Sequence, residues 1–341
     1  METDAAPERV TLALVAEEAG VSLSTISKVL NGRTDVAAAT RARVEELLHR
    51  HGYERRGARA QPKADLIELV FHELDSVWSM ELIAGVEAVA KEHGLSVVLT
   101  VSGSRHSPDP DWIEGVMRRR PVGVVLVFSD LAPEYRERLR SRAIPFVIVD
   151  PAGDPSPDAP SVGSANWSGG LMATRHLIEL GHRRIAAITG PEDMMCSLAR
   201  LDGLRSAMNS AGLEIRPEWI RFGDFHMSGG RDQARELLSS PERPTAIFAG
   251  SDLQALGAIE AARSLGLRVP EDVSIVGYDD IPLAQWMTPR LTTVHQPLRR
   301  MGEEAARLVI RLSEGADGTT PRMDLATSLV VRESTAPPAA A

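Results

Sequence analysis

Apolar positions recur along this chain with two different periods, and the change of period divides it. In TLALVAEEAG, residues 11–20, Leu12, Val15, Ala16 and Ala19 fall on one helical face and Gly20 ends the run. Ser22 then stands as an N-cap, its hydroxyl placed to accept a free backbone N–H. Leu23 to Leu30 follow without Gly or Pro, so a second helix starts after a short turn. Stepping 100° per residue puts Ile26, Val29 and Leu30 on its inner face and Ser24, Ser27, Lys28 and Asn31 on its outer one. A third helix is expected over residues 38–51, where Val44, Leu47 and Leu48 form the stripe and Gly52 ends it. From Leu66 the pattern becomes short continuous apolar runs. LIELVF, SVVLTV, GVVLVF and FVIVD read as buried parallel strands, with helices over 80–93, 109–120 and 133–142 between them. IAAIT, AIFAG and SIVGYDD continue the series, with helices over 167–180, 197–211, 229–239 and 251–265. The predicted fold is a three-helix head followed by an α/β part with two doubly wound parallel sheets. Ligands in such folds bind at the carboxyl ends of strands, which here can face one another across a cleft.

Composition narrows the function. The 341 residues are 43% hydrophobic and 25% charged, with no apolar run long enough to cross a bilayer. METDAAPERV lacks the basic cap and apolar core of a secretory signal, so a cytoplasmic protein is expected. The single Cys196 makes no internal disulfide and reads as a small semi-buried side chain. The nine histidines show no ligand spacing, so neither a metal nor a cofactor is expected. The formal net charge of -9 is unevenly spread. Up to Lys63 lie ten of the 38 basic and nine of the 47 acidic residues, leaving 28 against 38 for the remainder. Within the leading stretch most acids precede Gly20 and nearly all bases follow it. Because salt confines electrostatic fields to about 10 Å at moderate ionic strength, that basic surface can meet phosphates although the whole chain is acidic.

A helix, a Gly-containing turn and a second helix with an outer face of Ser, Thr, Lys and Asn form a helix-turn-helix, whose second helix enters a major groove. Val10-Thr11-Leu12, Val15-Ala16, Ala19-Gly20-Val21-Ser22, Thr25-Ile26-Ser27, Val29-Leu30-Asn31, Arg41 with Val44, and Gly52-Tyr53 closely resemble the head of the LacI/GalR (lactose-repressor/galactose-repressor) family. The resemblance implies base reading by Leu23, Ser24 and Lys28 and backbone contacts by Thr25 and Ser27. Arg33, Thr40 and Arg41 are then placed for phosphates, and Asn31, on the outer face of the second helix, is a further DNA-binding candidate. The connector ERRGARAQPKA is basic and reads alone as a mobile linker. In the family such a stretch orders on DNA and inserts a Leu into the minor groove. Here that position falls on Gln61, a poor wedge, so Arg55, Arg56 and Arg59 are expected to supply charge instead.

The resemblance extends over nearly the whole chain, through Gly181-His182-Arg183-Arg184-Ile185, Arg200-Leu201-Asp202-Gly203, Ala255-Leu256-Gly257, Pro270-Glu271-Asp272-Val273-Ser274, Gly277-Tyr278-Asp279-Asp280, Pro289-Arg290-Leu291-Thr292-Thr293-Val294 and Arg332-Glu333-Ser334. It implies a periplasmic-binding-protein-like effector domain with crossovers near 162, 291 and 320. The expected division is a head at 1–53, a hinge at 54–65, a first subdomain at 66–162 and 294–318, a second at 163–293 and 319–334, and a disordered tail at 335–341. By the same resemblance Arg200 and Asp279 bind the effector, with Asp150, Phe225 and Ser251 at further pocket positions. Trp78, after the first strand, is an independent candidate for stacking on a sugar face. A salt bridge or cap for Arg200 and Asp279, and plain core packing for Trp78 and Phe225, are the competing structural readings. Asp279 and Asp280 also raise the thought of glycoside cleavage, but neighbours in a strand point to opposite faces. The expected function is a ligand-responsive repressor of sugar-utilisation genes and not an enzyme. It binds double-stranded operator DNA as a homodimer, with a dimer of dimers left open, and a mono- or oligosaccharide releases it. The alternatives are co-repression by a purine, a solute-binding protein and a sugar-processing enzyme.

Overall fold

A computed structural model describes residues 12–30, 36–51, 63–74, 77–103, 110–127, 131–150, 159–315 and 322–339. They form two units, up to Lys63 and from Ala64 onward.

In the first unit, α1 (Leu12–Ala19), α2 (Leu23–Leu30) and α3 (Ala38–Arg50) enclose one small core. Val15, Ala16 and Ala19 meet Ile26 and Val29 of α2 and Val44, Leu47 and Leu48 of α3. Gly20, at φ +65°, closes α1 with the left-handed turn that glycine favours, and Val21 N donates to Ala16 O at 3.0 Å. Ser22 caps α2 as its sequence position predicts, accepting from Thr25 N at 3.2 Å. Arg43 donates to Glu18 O at 3.3 Å and His51 contacts Glu18 at 2.7 Å, which ties α3 back to α1.

The second unit runs β1 (Ala64–Phe71), α4 (Val77–Glu92), β2 (Ser96–Val101), α5 (Pro110–Arg119), β3 (Pro121–Val127), α6 (Pro133–Arg140), β4 (Phe146–Val149) and β5 (Ser161–Ser164). It continues with α7 (Asn166–Glu179), β6 (Ile185–Thr189), α8 (Met195–Ser210), β7 (Ile220–Phe222), α9 (Met227–Leu238), β8 (Ala246–Ala249), α10 (Asp252–Ser264) and β9 (Ser274–Asp279). The short α11 (Leu283–Trp286), β10 (Thr292–His295), α12 (Leu298–Ser313), β11 (Met323–Leu325) and β12 (Ser328–Val330) complete it. Two six-stranded sheets result, ordered β2-β1-β3-β4-β5-β11 and β7-β6-β8-β9-β10-β12. All neighbouring pairs are parallel except β10 with β12. Both sheets thus share the 2-1-3-4-5 winding, in which the strand order reverses beside the first strand and leaves a crevice at the strand carboxyl ends.

Each sheet is covered on both faces by helices. Three helix pairs approach so closely that a Cβ on Gly85 or Gly302 (α4 and α12), Gly170 or Gly203 (α7 and α8), or Gly230 or Gly257 (α9 and α10) would strike the partner's backbone. The first pair matters for topology, because α12 returns from the second half to complete the core of the first.

Three expected boundaries move. Val294 and His295 pair with Tyr278 and Asp279 in the second sheet, so the return to the first half begins at α12. Residues 163–164 and the 323–325 segment, expected in the second half, belong to the first, where β11 pairs with β5. These are strands of three or four residues, too brief for a hydrophobic period to register. The tail expected to be disordered is docked through residue 339. Ala336 O contacts His182 Nε2 at 2.9 Å, Ala336 N donates to Ser274 Oγ at 3.0 Å, and Thr335 Oγ1 lies 2.9 Å from His176. Its Ala and Pro content suggested a solvated end, while partners remote in sequence supply the anchors. Of the expected hinge, Ala64 and Asp65 already belong to β1, and residues 54–62 lie outside the described residues.

Candidate functional site

Two sites were expected, one in each unit. On α2, Leu23 is more than half exposed, and Ser24, Ser27 and Lys28 share its solvent face while Thr25 is half-buried. The Ser22 hydroxyl lies 2.7 Å from Ser24 Oγ and 2.9 Å from Thr25 Oγ1, a chain of hydroxyls at the helix start. Thr40 and Arg41 sit in the first turn of α3, both half-buried. Asn31, Arg33, Arg55, Arg56, Arg59 and the departing Gln61 lie outside the described residues.

In the second unit a cavity of about 560 Å³ opens where the carboxyl ends of the two sheets face each other. It gathers all six residues expected there: Trp78, Asp150, Arg200, Phe225, Ser251 and Asp279. Asp150 follows β4, Phe225 follows β7, Ser251 follows β8 and Asp279 ends β9, so four strand ends converge. Asp150, Phe225 and Asp279 have φ of +49°, +68° and +112°, a left-handed backbone that costs a non-glycine residue about 1–3 kcal/mol. Three such residues lining one cavity mark it as a site held in shape by its surroundings.

Arg200 is the centre. It is buried and donates through Nε to Asn166 Oδ1 at 2.8 Å, through Nη1 to the Gly250 carbonyl, and through Nη2 to Gln296 Oε1 at 3.4 Å. Its guanidinium lies 3.7 Å from the Tyr278 ring centroid and 5.6 Å from that of Phe225. Asp279 Oδ1 stands 3.8 Å away, and Asn166 Nδ2 donates to Asp150 Oδ1 at 3.4 Å. Burial pushes the Asp279 carboxyl up to about 7, with Arg200 pulling it back and Asp150 adding to the rise. Burial likewise raises Asp150, against the pull of Arg200 and Asn166. Asp252, behind the floor, accepts from Thr293 Oγ1 at 2.5 Å and Ile281 N at 2.8 Å, and burial raises it well above the usual carboxylate range. Carboxyls therefore outnumber guanidinium groups on this floor. Such a floor offers both acceptors and donors to hydroxyl groups.

Individual expectations separate here. Ser251 lines the cavity but spends its hydroxyl on the fold, capping α10 at Gln254 N and donating to Phe225 O. Trp78 is half-buried, with its indole N–H given to Gln296 Oε1 at 3.3 Å. Asp280 turns away from Asp279 toward Arg332 at 2.6 Å and His295 at 3.2 Å, so the two carboxyls do not face a common substrate. Cys196 lines the wall, and burial pushes its thiol up to about 12, far from a reactive thiolate. Among the described residues no group of His, Cys, Asp and Glu could hold a metal ion, and no helix is long and apolar enough to cross a membrane.

Sequence reasoning missed Asn166, Gln296, His72, Glu73 and His226. Asn166 and Gln296 follow the short strands β5 and β10, which had left no periodic signal. The other three lie in FHELDS and GDFHMSGG, stretches whose positions after strands were a usable clue.

Comparison with known proteins matches both parts. The bacterial regulatory protein lacI family model fits residues 11–56, and the periplasmic binding protein-like domain fits residues 174–335. The HTH-type transcriptional regulator CelR of Thermobifida fusca is 37% identical over 337 residues, covering 96% of this chain and 98% of that protein. A structure described as a transcriptional regulator CelR-cellobiose complex superposes with a TM-score of 0.72 at 35% identity, covering 96% of this chain and 100% of that one. The lac repressor dimer bound to operator gives 0.69 at 27% identity, with the same coverage. The helix-turn-helix head, the paired parallel sheets and the identity along nearly the full length agree: the chain belongs to the LacI family of bacterial regulatory proteins.

Proposed function

We propose that this protein is a sugar-responsive transcriptional repressor that binds a palindromic operator as a homodimer and is released when a sugar occupies the cleft. The observation that carries the reading is the floor of that cleft. A buried guanidinium bound on three sides stands beside the Asp150 and Asp279 carboxyls, with aromatic side chains next to them. Paired carboxyls and a fixed guanidinium recognise vicinal hydroxyls, and an aromatic face suits the apolar side of a sugar ring.

The head supplies the output. Leu23, Ser24 and Lys28 read base edges, Thr25, Ser27, Thr40 and Arg41 meet the backbone, Asn31 adds a polar contact, and Arg33, Arg55, Arg56 and Arg59 add positive charge against the phosphates. Two heads related by a two-fold axis double it. Similarity to a CelR-cellobiose complex and to an operator-bound lac repressor dimer supports the same pairing of sugar with DNA. The protein acts in the cytoplasm, where its DNA is, and it binds the sugar without turning it over.

Gel-shift titration on duplexes selected from genomic DNA tests this. Neutral sugars that bind should weaken DNA affinity at least tenfold, since a ligand shifts a two-state equilibrium only by its differential affinity. Sugars that bind and leave DNA affinity unchanged sink the proposal, and so does detectable turnover of the bound sugar.

A further inference from the structure

The cleft is not uniform from floor to mouth. Arg200 and Asp279 have side chains only 4% and 8% exposed, whereas Glu73 is 47% and His226 35% exposed in the same cavity. Between these levels the chemistry repeats, a carboxylate beside nitrogen donors, but with imidazoles in place of the guanidinium.

At the mouth, Glu73 Oε1 lies 3.0 Å from His72 Nε2 and 3.6 Å from His226 Nε2. His72 and Glu73 follow β1 in the first half, and His226 precedes α9 in the second, so this contact crosses the cleft. His226 stands at the N-cap of α9, makes no side-chain capping bond there, and sends its imidazole toward Glu73 of the opposite subdomain.

We propose that His72, Glu73 and His226 form a second sugar subsite at the rim, and that the effector is a neutral disaccharide. Its inner ring sits on Asp150, Arg200 and Asp279, and its outer ring is read across the mouth by the rim trio. The cavity's 560 Å³ reaches from this floor to the rim trio, all of which line it. A carboxylate flanked by two imidazoles offers an acceptor and donors to a hydroxyl pair, and Glu73 with nearby Asp224 disfavours a uronate in the outer position. A ring held by Glu73 on one side and His226 on the other engages both halves at once. The second ring thereby adds to the difference in affinity between cleft states, which is the quantity that moves an equilibrium.

The inference rests on the sugar reading above and is tested separately from it. Isothermal titration of the full chain uses cellobiose, xylobiose and maltose, each beside its monosaccharide, glucose or xylose. At least one disaccharide should bind ten times or more tighter than its monosaccharide. E73Q and H226S should each lose at least tenfold for that disaccharide while the monosaccharide changes less than twofold. The H226S change introduces a favourable N-cap side chain, and Glu73 is exposed, so both variants retain the fold; thermal midpoints within a few degrees of wild type verify this. Equal affinities for one ring and two, or variants that weaken both alike or neither, overturn the rim subsite and leave the sugar reading standing. If the wild type binds no sugar in the panel, both are overturned.

Discussion

Replacing Arg200 by Met is the most informative single change, because it removes the charge and keeps much of the volume. The wild-type guanidinium is buried, bound to Asn166, Gly250 and Gln296, and 3.8 Å from Asp279. Its loss leaves Asp279 buried without its cation and Asp150 with only the weaker pull of Arg322, and breaking a buried pair from one side costs about 3–5 kcal/mol. That cost has a pH signature. Burial already holds the Asp279 carboxyl at about 7, and removing the cation that opposes this raises it further. A carboxyl raised in the folded state loses stability as pH climbs from its unfolded to its folded value, so a further rise in the variant adds a cost only above the wild-type folded value. Each unit of additional rise is worth about 1.4 kcal/mol on the alkaline side. R200M should therefore lose about 3–5 kcal/mol at pH 8 and about 1.4 kcal/mol less at pH 5.5, because only the one pH unit above the wild-type value of about 7 separates the two proteins. Urea unfolding at the two pH values measures both, and at pH 8 the midpoint temperature should fall by roughly 6–20 °C for a unit of this size. A penalty equal at both pH values would refute the assignment of Arg200 as the counter-charge of the floor.

Four further outcomes follow from the same geometry. If hydroxyls bind the ionised Asp279, sugar affinity should rise about tenfold from pH 6 to pH 8, and titration in buffers of different ionisation enthalpy should show proton release; affinity flat across this range contradicts it. K28A should cost operator binding about 1–3 kcal/mol and relax sequence preference, while R41A should lower the salt slope by about one and weaken all sequences alike, both read by fluorescence anisotropy. S22A should destabilise the head by about 1 kcal/mol through the lost cap at Thr25 N, seen as an earlier helical melting step by circular dichroism. Truncation after Ser334 removes the contacts of Thr335 and Ala336 with His176, His182 and Ser274, and should cost about 1–3 kcal/mol in urea unfolding.

Legibility in the sequence tracked length of element and range of contact. The helices of the head and most strands of four or more residues carry their own period, so Ile26 and Val44 could be placed inside, and Lys28 outside, from spacing alone. Arg200, Asp279 and their pocket neighbours came from motif resemblance, with strand-end position as independent support. The three-residue strands β7, β11 and β12 were not readable, because their place is set by pairing to strands remote in the chain. Gln296 was hidden for the same reason. Nothing local distinguishes a glutamine before a proline, and its role exists only where Trp78, Ser164 and Arg200 meet it.

That meeting point bears on how an occupied cleft differs from an empty one. Gln296 is buried just after β10, on the segment that crosses back from the second half to the first. Its amide nitrogen donates to Ser164 Oγ at 3.0 Å, at the end of β5 and the start of the first crossing. Its amide oxygen accepts from Trp78 Nε1 in the first half and from Arg200 Nη2 in the second, and its backbone N–H donates to Asp279 O at 3.2 Å. One side chain thus joins two crossovers to the guanidinium at the centre of the cleft floor. The Arg200 and Trp78 contacts, at 3.4 and 3.3 Å, are long for N–H···O bonds and leave room to tighten or break. A sugar that draws the Arg200 fork toward its own hydroxyls competes with Gln296 for that donor. The displaced amide must then be satisfied by rearranging the crossing segments, because a buried polar group left unpaired costs about 1–3 kcal/mol.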